Sequence, residues 1–145
     1  RAPYAVTASY LYLDAREPSV DGAGAANVPL TPRHSASIVA MWEEHDRGRI
    51  GLELYYTGTQ SLDGNPYRLE GEPYLHIGLL GELALGRVRV FLNLENLLDV
   101  RQTKEDPLLL PTRAPIGLWT VDAWAPLEGF IANAGFRVGL GGRSD

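Results

Sequence analysis

The fold is decided by the stretch Arg87-Val88-Arg89-Val90-Phe91-Leu92-Asn93-Leu94-Glu95-Asn96-Leu97-Leu98-Asp99. Four aliphatic side chains alternate with a polar and aromatic set: Val88, Val90, Leu92 and Leu94 against Arg87, Arg89, Phe91, Asn93 and Glu95. Period-2 alternation over this length predicts a β-strand with one apolar face and one polar face. The strand is long, and its polar face carries charges of both signs. It is therefore typical of a transmembrane barrel strand, which takes about 9–11 residues with an apolar outside and a polar lumen.

Five further segments alternate in the same way. We predict strands over Tyr4 to Asp14, Arg33 to Glu43, Arg49 to Gly58, Tyr74 to Leu85 and Gly129 to Leu140. Long connections rich in Gly and Pro are predicted loops: Asp14 to Pro32, Thr59 to Pro73 and Val100 to Glu128. The turns at Glu44 to Gly48 and at Gly86 are short. An antiparallel up-and-down meander of these six strands puts every long loop on one rim and both turns on the other, as in outer-membrane barrels.

The alternation also predicts the register of the two hairpins. A two-residue turn at Leu85-Gly86 pairs Ala84 with Arg87, Leu83 with Val88, Glu82 with Arg89, Leu79 with Leu92 and His76 with Glu95. The other hairpin pairs Trp42 with Ile50, Ala40 with Leu52 and Glu43 with Arg49. A one-residue slip would turn every side chain of a strand to the wrong face, so both predictions keep apolar residues together. Aromatic residues fall near the predicted rims, as in an aromatic girdle: Tyr10, Tyr12, Tyr56, Tyr74 and Phe130 near the long loops, and Trp42 near the turns.

Composition excludes several classes of function. The 145 residues carry a net charge of −5 and no basic patch interleaved with aromatics, so we expect no nucleic-acid partner. Cysteine is absent, which excludes disulfides, thiol catalysis and cysteine-ligated metals. No apolar run approaches the roughly 18 residues of a membrane helix. This absence says little about a membrane β-barrel, because barrel strands give a weak hydropathy signal. The three histidines lack metal-binding spacing and no nucleophile–base pair is evident, so we predict no enzyme, no catalytic residues, no cofactor and no metal site.

Four segments, in the right order, resemble the C-terminal end of a TonB-dependent outer-membrane receptor. Asn93-Leu94-Glu95-Asn96-Leu97-Leu98-Asp99 resembles the segment that ends the penultimate barrel strand of that family. Leu30-Thr31-Pro32-Arg33-His34-Ser35-Ala36 and Tyr10-Leu11-Tyr12-Leu13-Asp14-Ala15 resemble earlier strand segments. Phe130-Ile131-Ala132-Asn133-Ala134-Gly135-Phe136-Arg137 resembles the closing strand. The chain departs from the family by running on to Asp145 and not ending on the aromatic residue that the assembly machinery reads.

The resemblance implies an all-β fold: the last six strands of a transmembrane β-barrel of roughly 22 strands. Residues 1–145 would be the C-terminal part of the barrel domain, with the plug domain and the N-terminal strands absent from this chain. The implied function is TonB-dependent active uptake, in the bacterial outer membrane, of a scarce nutrient such as siderophore-bound iron, cobalamin or an oligosaccharide. The implied partners are outer-membrane lipid, the plug and missing strands, the TonB complex through the absent N-terminal region, and the small nutrient ligand.

Two groups of residues are candidate functional positions. Tyr67, Trp119 and Trp124 are the loop aromatics that we select for ligand contact, because aromatic residues dominate binding hot spots. The alternative is that the two tryptophans pin a long loop to the rim or lie in a strand extension. A second set is expected to form structural ion pairs on the lumen-facing wall: Glu82, Arg89, His76, Glu95 and Arg137.

A different class of protein fits the same alternation. A soluble antiparallel β-barrel that binds a small apolar ligand in its interior would also have strands with one apolar face and one polar face. The two hypotheses differ in which face is inside. A soluble barrel puts leucine, isoleucine and valine inward, whereas a membrane barrel puts them outward against lipid.

Overall fold

The computed structural model describes residues 3–19, 22, 24–113 and 117–140, and the predicted C-terminal continuation beyond Leu140 lies outside them. The described chain is all-β and is organised by one six-stranded antiparallel sheet, whose strands are given next in the order in which they pair. Its strands are β1 (Tyr4–Tyr12), β4 (His34–Glu44), β5 (Gly48–Thr57), β8 (Tyr74–Leu85), β9 (Val88–Glu95) and β10 (Ile131–Val138). The short strands of the loops are β2 (Arg16–Pro18), β3 (Ala25–Asn27), β6 (Gln60–Ser61) and β7 (Glu70–Gly71). The six predicted strands and their up-and-down order are confirmed.

Consecutive antiparallel strands separate the connections onto two rims, as predicted. One rim, the turn rim, carries residues 45–47 and residues 86–87. The other, the long-loop rim, carries loop 1 (residues 13–33), loop 2 (residues 58–73) and loop 3 (residues 96–130). These loops contain more order than the sequence predicted, because β2 pairs with β3, β6 pairs with β7, and loop 3 holds a 3₁₀ turn at Gln102–Lys104.

The register carries the alternation across the whole sheet. The apolar face consists of Tyr4, Val6, Ala8, Tyr10, Ala36, Ile38, Ala40, Trp42, Ile50, Leu52, Leu54, Tyr56, Leu75, Ile77, Leu79, Leu83, Val88, Val90, Leu92, Leu94, Ala132, Ala134, Phe136 and Val138. The polar face includes Ser37, Glu53, Tyr55, His76, Glu82, Arg89, Phe91, Asn93 and Arg137. Tyr74 lies at the long-loop rim, as predicted, and is on the polar face opposite Thr57.

The hairpin of β4 and β5 has the predicted register, with Trp42 opposite Ile50 and Glu43 opposite Arg49. The hairpin of β8 and β9 does not: Leu85 lies opposite Val88, and Ala84 lies opposite Arg89. The turn consists of Gly86 and Arg87 instead of Leu85 and Gly86, because Gly86 takes the left-handed conformation (φ +63°) required at the start of such a turn. The predicted register was therefore wrong by two residues. Each side chain still lies on its predicted face, because side chains alternate with a period of two.

The sheet has no core of its own. Trp124 and Ala125, both in loop 3, are the buried hydrophobic residues of the described chain. Several large side chains of the apolar face are more than half exposed, among them Val6 at 69% and Phe136 at 73%. An ordinary soluble sheet covers its apolar face with a second layer. The apolar face of this sheet therefore needs a cover that the described chain does not supply.

Candidate functional site

The polar face carries an ion-pair network near the turn rim. The carboxylate of Glu82 accepts hydrogen bonds from Arg89 at 2.9 Å and from Arg49 at 3.3 Å. Arg49 lies directly opposite Glu82 in the ladder, whereas Arg89 reaches it diagonally because Glu82 faces Phe91. The Glu82 side chain is only 15% exposed, so this carboxylate is shielded by the two guanidinium groups. The arrangement ties three neighbouring strands together.

The other candidate wall residues are arranged differently. His76 lies opposite Tyr55, while Glu95 lies beyond the β8–β9 ladder and accepts a hydrogen bond from Asn93 at 2.6 Å. The predicted pairing of His76 with Glu95 was wrong because of the two-residue shift in register. Both residues instead line a cleft of about 290 Å³ at the long-loop rim. Arg137 lies opposite Arg89, so two like charges face each other across β9 and β10.

Loops 2 and 3 are joined by a buried group that we call the loop cluster: Gln60, Arg68, Gln102, Asp106 and Trp124. Gln102 is fully buried, and its side-chain oxygen accepts the Trp124 backbone N–H at 2.8 Å. The Gln102 amide nitrogen donates to the carbonyl of Asp122 at 3.2 Å. The Gln60 amide nitrogen donates to the carbonyl of Trp124. Gln102 thus satisfies its buried amide within loop 3, whereas Gln60 connects loop 2 to loop 3.

The Trp124 ring belongs to loop 3 and packs against residues of loop 2. The guanidinium carbon of Arg68 lies 4.8 Å from the centroid of this ring, and Arg68 also donates to Asp106 at 3.2 Å. A Cβ atom at Gly71 would lie 3.0 Å from the ring, so a larger residue there would require the tryptophan to shift. The side chains of Arg68 and Asp106 are 19% and 8% exposed, which shields their ion pair from water. Loops 2 and 3 are therefore packed as one unit.

The three aromatic candidates for ligand contact have different surroundings. Trp124 is 4% exposed and lies inside the loop cluster, so its ring has little surface left for a ligand. The Tyr67 hydroxyl donates to the carbonyl of Leu109 and so connects loop 2 to loop 3. Trp119 is 58% exposed, beside the isolated bridge between Leu109 and Thr120, and the guanidinium carbon of Arg113 lies 5.8 Å from its ring. The Trp119 ring is thus more than half open to solvent.

Three clefts of about 290–350 Å³ lie at the long-loop rim. The one between loops 1 and 2 is lined by charged and polar groups that include Asp14, Arg33, His34 and Glu70. The one between loops 2 and 3 is lined by Asp99, Arg101, Lys104 and Trp124 among others. Within the described residues no group of three or more histidine, aspartate or glutamate side chains could hold a metal ion. The clefts offer mixed charges and hydrogen-bonding groups to a small polar ligand.

The segment Asn96-Leu97-Leu98-Asp99 ends β9 in a turn, earlier than the predicted strand end. Asn96 and Asp99 both take positive φ, and the Asp99 N–H donates to the carbonyl of Asn96 at 2.8 Å. The buried Asn96 amide donates to the carbonyls of Val100 and Glu128 at 2.8 and 3.0 Å. Asp99 accepts the Phe130 N–H at 3.0 Å. The turn thus holds both ends of loop 3 together, where β9 ends and β10 begins.

Asp99 should titrate in strong acid. The hydrogen bond from Lys104, followed by the Phe130 N–H and the charge of Arg101, lowers the pKa of the Asp99 carboxyl to about 2. A lowered pKa stabilises the folded turn above the ordinary value near 3.8, and this contribution is lost as the pH falls toward 2. We expect NMR titration of the carboxyl carbon to give a midpoint near 2 and Lys104→Gln to raise it. A midpoint near 4 in the unchanged chain would contradict these contacts.

Sequence reasoning did not find the loop cluster. Gln60 and Gln102 are single glutamines in loops without periodicity, and nothing local indicates that either is buried. The nearest signal was the presence of tryptophan in a long loop, together with the alternative that it pins the loop to the rim. The partners of Trp124 lie far away in sequence, for example Gln60, 64 positions before it.

The fold and these contacts define the class of structure: an open antiparallel sheet with one exposed apolar face, one charged face and a packed loop cap at one rim. Comparisons of the chain with protein-family models, with curated proteins and with solved structures found no match. Within the described residues, no helix is long and apolar enough to span a membrane.

Proposed function

We propose that this chain is a wall segment of an outer-membrane receptor for TonB-dependent uptake of a scarce nutrient. Its six strands would form part of a transmembrane barrel in the bacterial outer membrane, and its three long loops would face the ligand. The family resemblance supplies the transport function, the plug and the TonB complex as partners. The observation that carries the membrane placement is the apolar face, which runs unbroken across all six strands and is exposed to solvent.

The dimensions of the sheet support this placement. The 12 residues of β8, the longest strand, are separated by 11 steps of ~3.4 Å and so extend over about 37 Å. A tilt of about 40°, usual for outer-membrane barrels, reduces the height to about 29 Å, close to the roughly 30 Å of a bilayer hydrocarbon core. Aromatic side chains lie near both ends of the apolar face, with Tyr4 opposite Trp42 near the turn rim and Tyr10 and Tyr56 near the long-loop rim. Between them the face is aliphatic.

The alternative, a soluble barrel with an apolar ligand inside, has less support. It would enclose leucine, isoleucine and valine side chains, which pack against one another across the interior. Here Ile50 and Leu83 of the central strands are more than half exposed. On the opposite face, Arg49 and Arg89 instead form ion pairs with Glu82, whose side chain is only 15% exposed. Charges that are paired between strands suit a wall facing an enclosed polar lumen.

The loops support a role in ligand capture. The loop cluster gives loops 2 and 3 a fixed shape, and clefts with mixed charges open beside it. A preorganised site loses less conformational entropy when a ligand binds. Trp119 adds an exposed aromatic surface. In this arrangement the strands would close the wall within lipid, where every strand edge must be paired, and the loops would select the nutrient.

A topology measurement tests the proposal. Leu52 on the apolar face and Glu53 on the polar face are neighbours on β5, so each is the matched control for the other. Single cysteines are placed at these positions, the chain is refolded in detergent or lipid, and each variant is treated with lipid-phase and water-soluble thiol reagents. We expect L52C to react only from lipid and E53C only from water. Protection of L52C from both reagents in lipid-free buffer, with E53C freely reactive, would identify a soluble barrel and reject the proposal.

A further inference from the structure

Charges form a line across the polar face near the turn rim. Glu43, Arg49 and Glu82 lie opposite one another on β4, β5 and β8, so their signs alternate. Arg89 on β9 continues the alternation through its 2.9 Å ion pair with Glu82. Arg137 on β10 breaks it, because this residue lies directly opposite Arg89. The line therefore ends on two adjacent positive charges.

Among the described residues, the network gives Arg137 no direct ion-pair partner. Glu82 already accepts hydrogen bonds from Arg49 and Arg89, one on each carboxylate oxygen. Arg137 is exposed and makes no ion pair within 4.0 Å among the described residues, although its charge also acts on Glu82. Like charges directly opposite each other destabilise a strand pair. An additional carboxylate near Arg137 would remove this repulsion.

The position of Arg137 indicates where that carboxylate comes from. In the described chain β10 has β9 as its one neighbour, so its other edge presents unpaired backbone groups beside Arg137. A strand that pairs with this edge places its side chains in line with those of β10. The other free edge of the sheet, β1, cannot provide the charge, because its polar face carries Ala5, Thr7 and Ser9. Among the described strands of this sheet, none therefore offers a carboxylate to the free edge of β10.

We propose that the free edge of β10 is a docking site for a β-strand that carries an aspartate or glutamate on its polar face, opposite Arg137 or diagonal to it. This inference rests on the proposed function, in which the partner is a missing strand of the same barrel. The backbone groups of β10 supply the affinity. The two adjacent positive charges of Arg89 and Arg137 favour a strand with a carboxylate beside them. This attraction fixes the register of the incoming strand.

Peptide binding tests the docking site on the whole 145-residue chain, refolded in detergent. Three fluorescent nine-residue peptides alternate apolar and polar residues and differ only at the central polar position, which is Glu, Gln or Lys. We expect the Glu peptide to bind about fivefold more tightly than the Gln peptide, with the Lys peptide weakest. Arg137→Glu should reverse this order. Arg16→Glu changes the net charge equally at the opposite rim and should leave the order unchanged.

Several outcomes would overturn the inference. Equal affinity for the three peptides, or an unchanged order in R137E, would remove Arg137 from recognition. Equal binding of a Glu peptide interrupted by proline would indicate an acidic partner that does not pair as a strand. A dimer that excludes all peptides would assign the edge to a second copy of the chain. The thiol test at positions 52 and 53, made on the same sample, separates these failures from a failure of the proposed function, because it does not depend on β10.

Discussion

A Leu52→Arg variant is expected to lose about 2–4 kcal/mol of folding free energy in detergent micelles or lipid vesicles, because an arginine at the bilayer midplane must be desolvated. Leu52 lies in the middle of the apolar face, between Ala40 on β4 and Leu79 on β8. Within the proposed membrane wall, these neighbours offer the guanidinium group no hydrogen-bond partner. Urea titration of the refolded chain, followed by tryptophan fluorescence, measures the loss.

The control for this variant is Ser37→Arg on the opposite face. Ser37 lies opposite Tyr55 on the polar face of the same strand pair, three residues along β4 from Ala40, the partner of Leu52. An arginine there would enter the polar lumen and should change the free energy of unfolding by less than about 1 kcal/mol. Equal losses in the two variants, or a larger loss for S37R, would mean that the apolar face does not meet lipid.

Trp124→Ala is expected to release loops 2 and 3 from each other. Removal of a buried aromatic side chain costs about 3–5 kcal/mol in a well-packed site. Trp124 is 4% exposed and contacts Arg68 and the Gly71 backbone. The loss should be local, since the ring touches the loops and the six-stranded sheet is held by its own ladders. The backbone N–H groups of Trp124 and Ala125 donate hydrogen bonds to the side-chain oxygen of Gln102. Hydrogen exchange at these two amides should therefore accelerate strongly.

Trp119→Ala is the matched control for the loop cluster. Both tryptophans belong to loop 3, but Trp119 is 58% exposed, and surface substitutions usually change stability by less than about 0.5 kcal/mol. Amide exchange in the loop cluster should be unchanged in this variant, while capture of a ligand by the rim could still be reduced. If W124A and W119A had the same effect on exchange, Trp124 would not be the residue that joins the two loops.

The hairpins explain how far the sequence could predict register. Between β4 and β5, the turn predicted over Glu44 to Gly48 places Trp42 opposite Ile50. This register is the one observed. Between β8 and β9 two turns were compatible with the same faces, because they differ by two residues. The left-handed conformation of Gly86 selects the turn, and with it the diagonal contact of Arg89 with Glu82. The loss of the pairing between His76 and Glu95 has the same cause.

The sequence by itself determined the six strands, their order and the assignment of each side chain to a face. These features depend on alternation between neighbours and on the lengths of connections, which are local properties of the chain. Tertiary structure alone decided that Trp124 is buried while Trp119 is open, that Gln60 joins loop 2 to loop 3 through the Trp124 carbonyl, and that Arg137 faces Arg89. Such contacts join residues far apart in the sequence, and their geometry depends on loops whose composition carries no periodic signal.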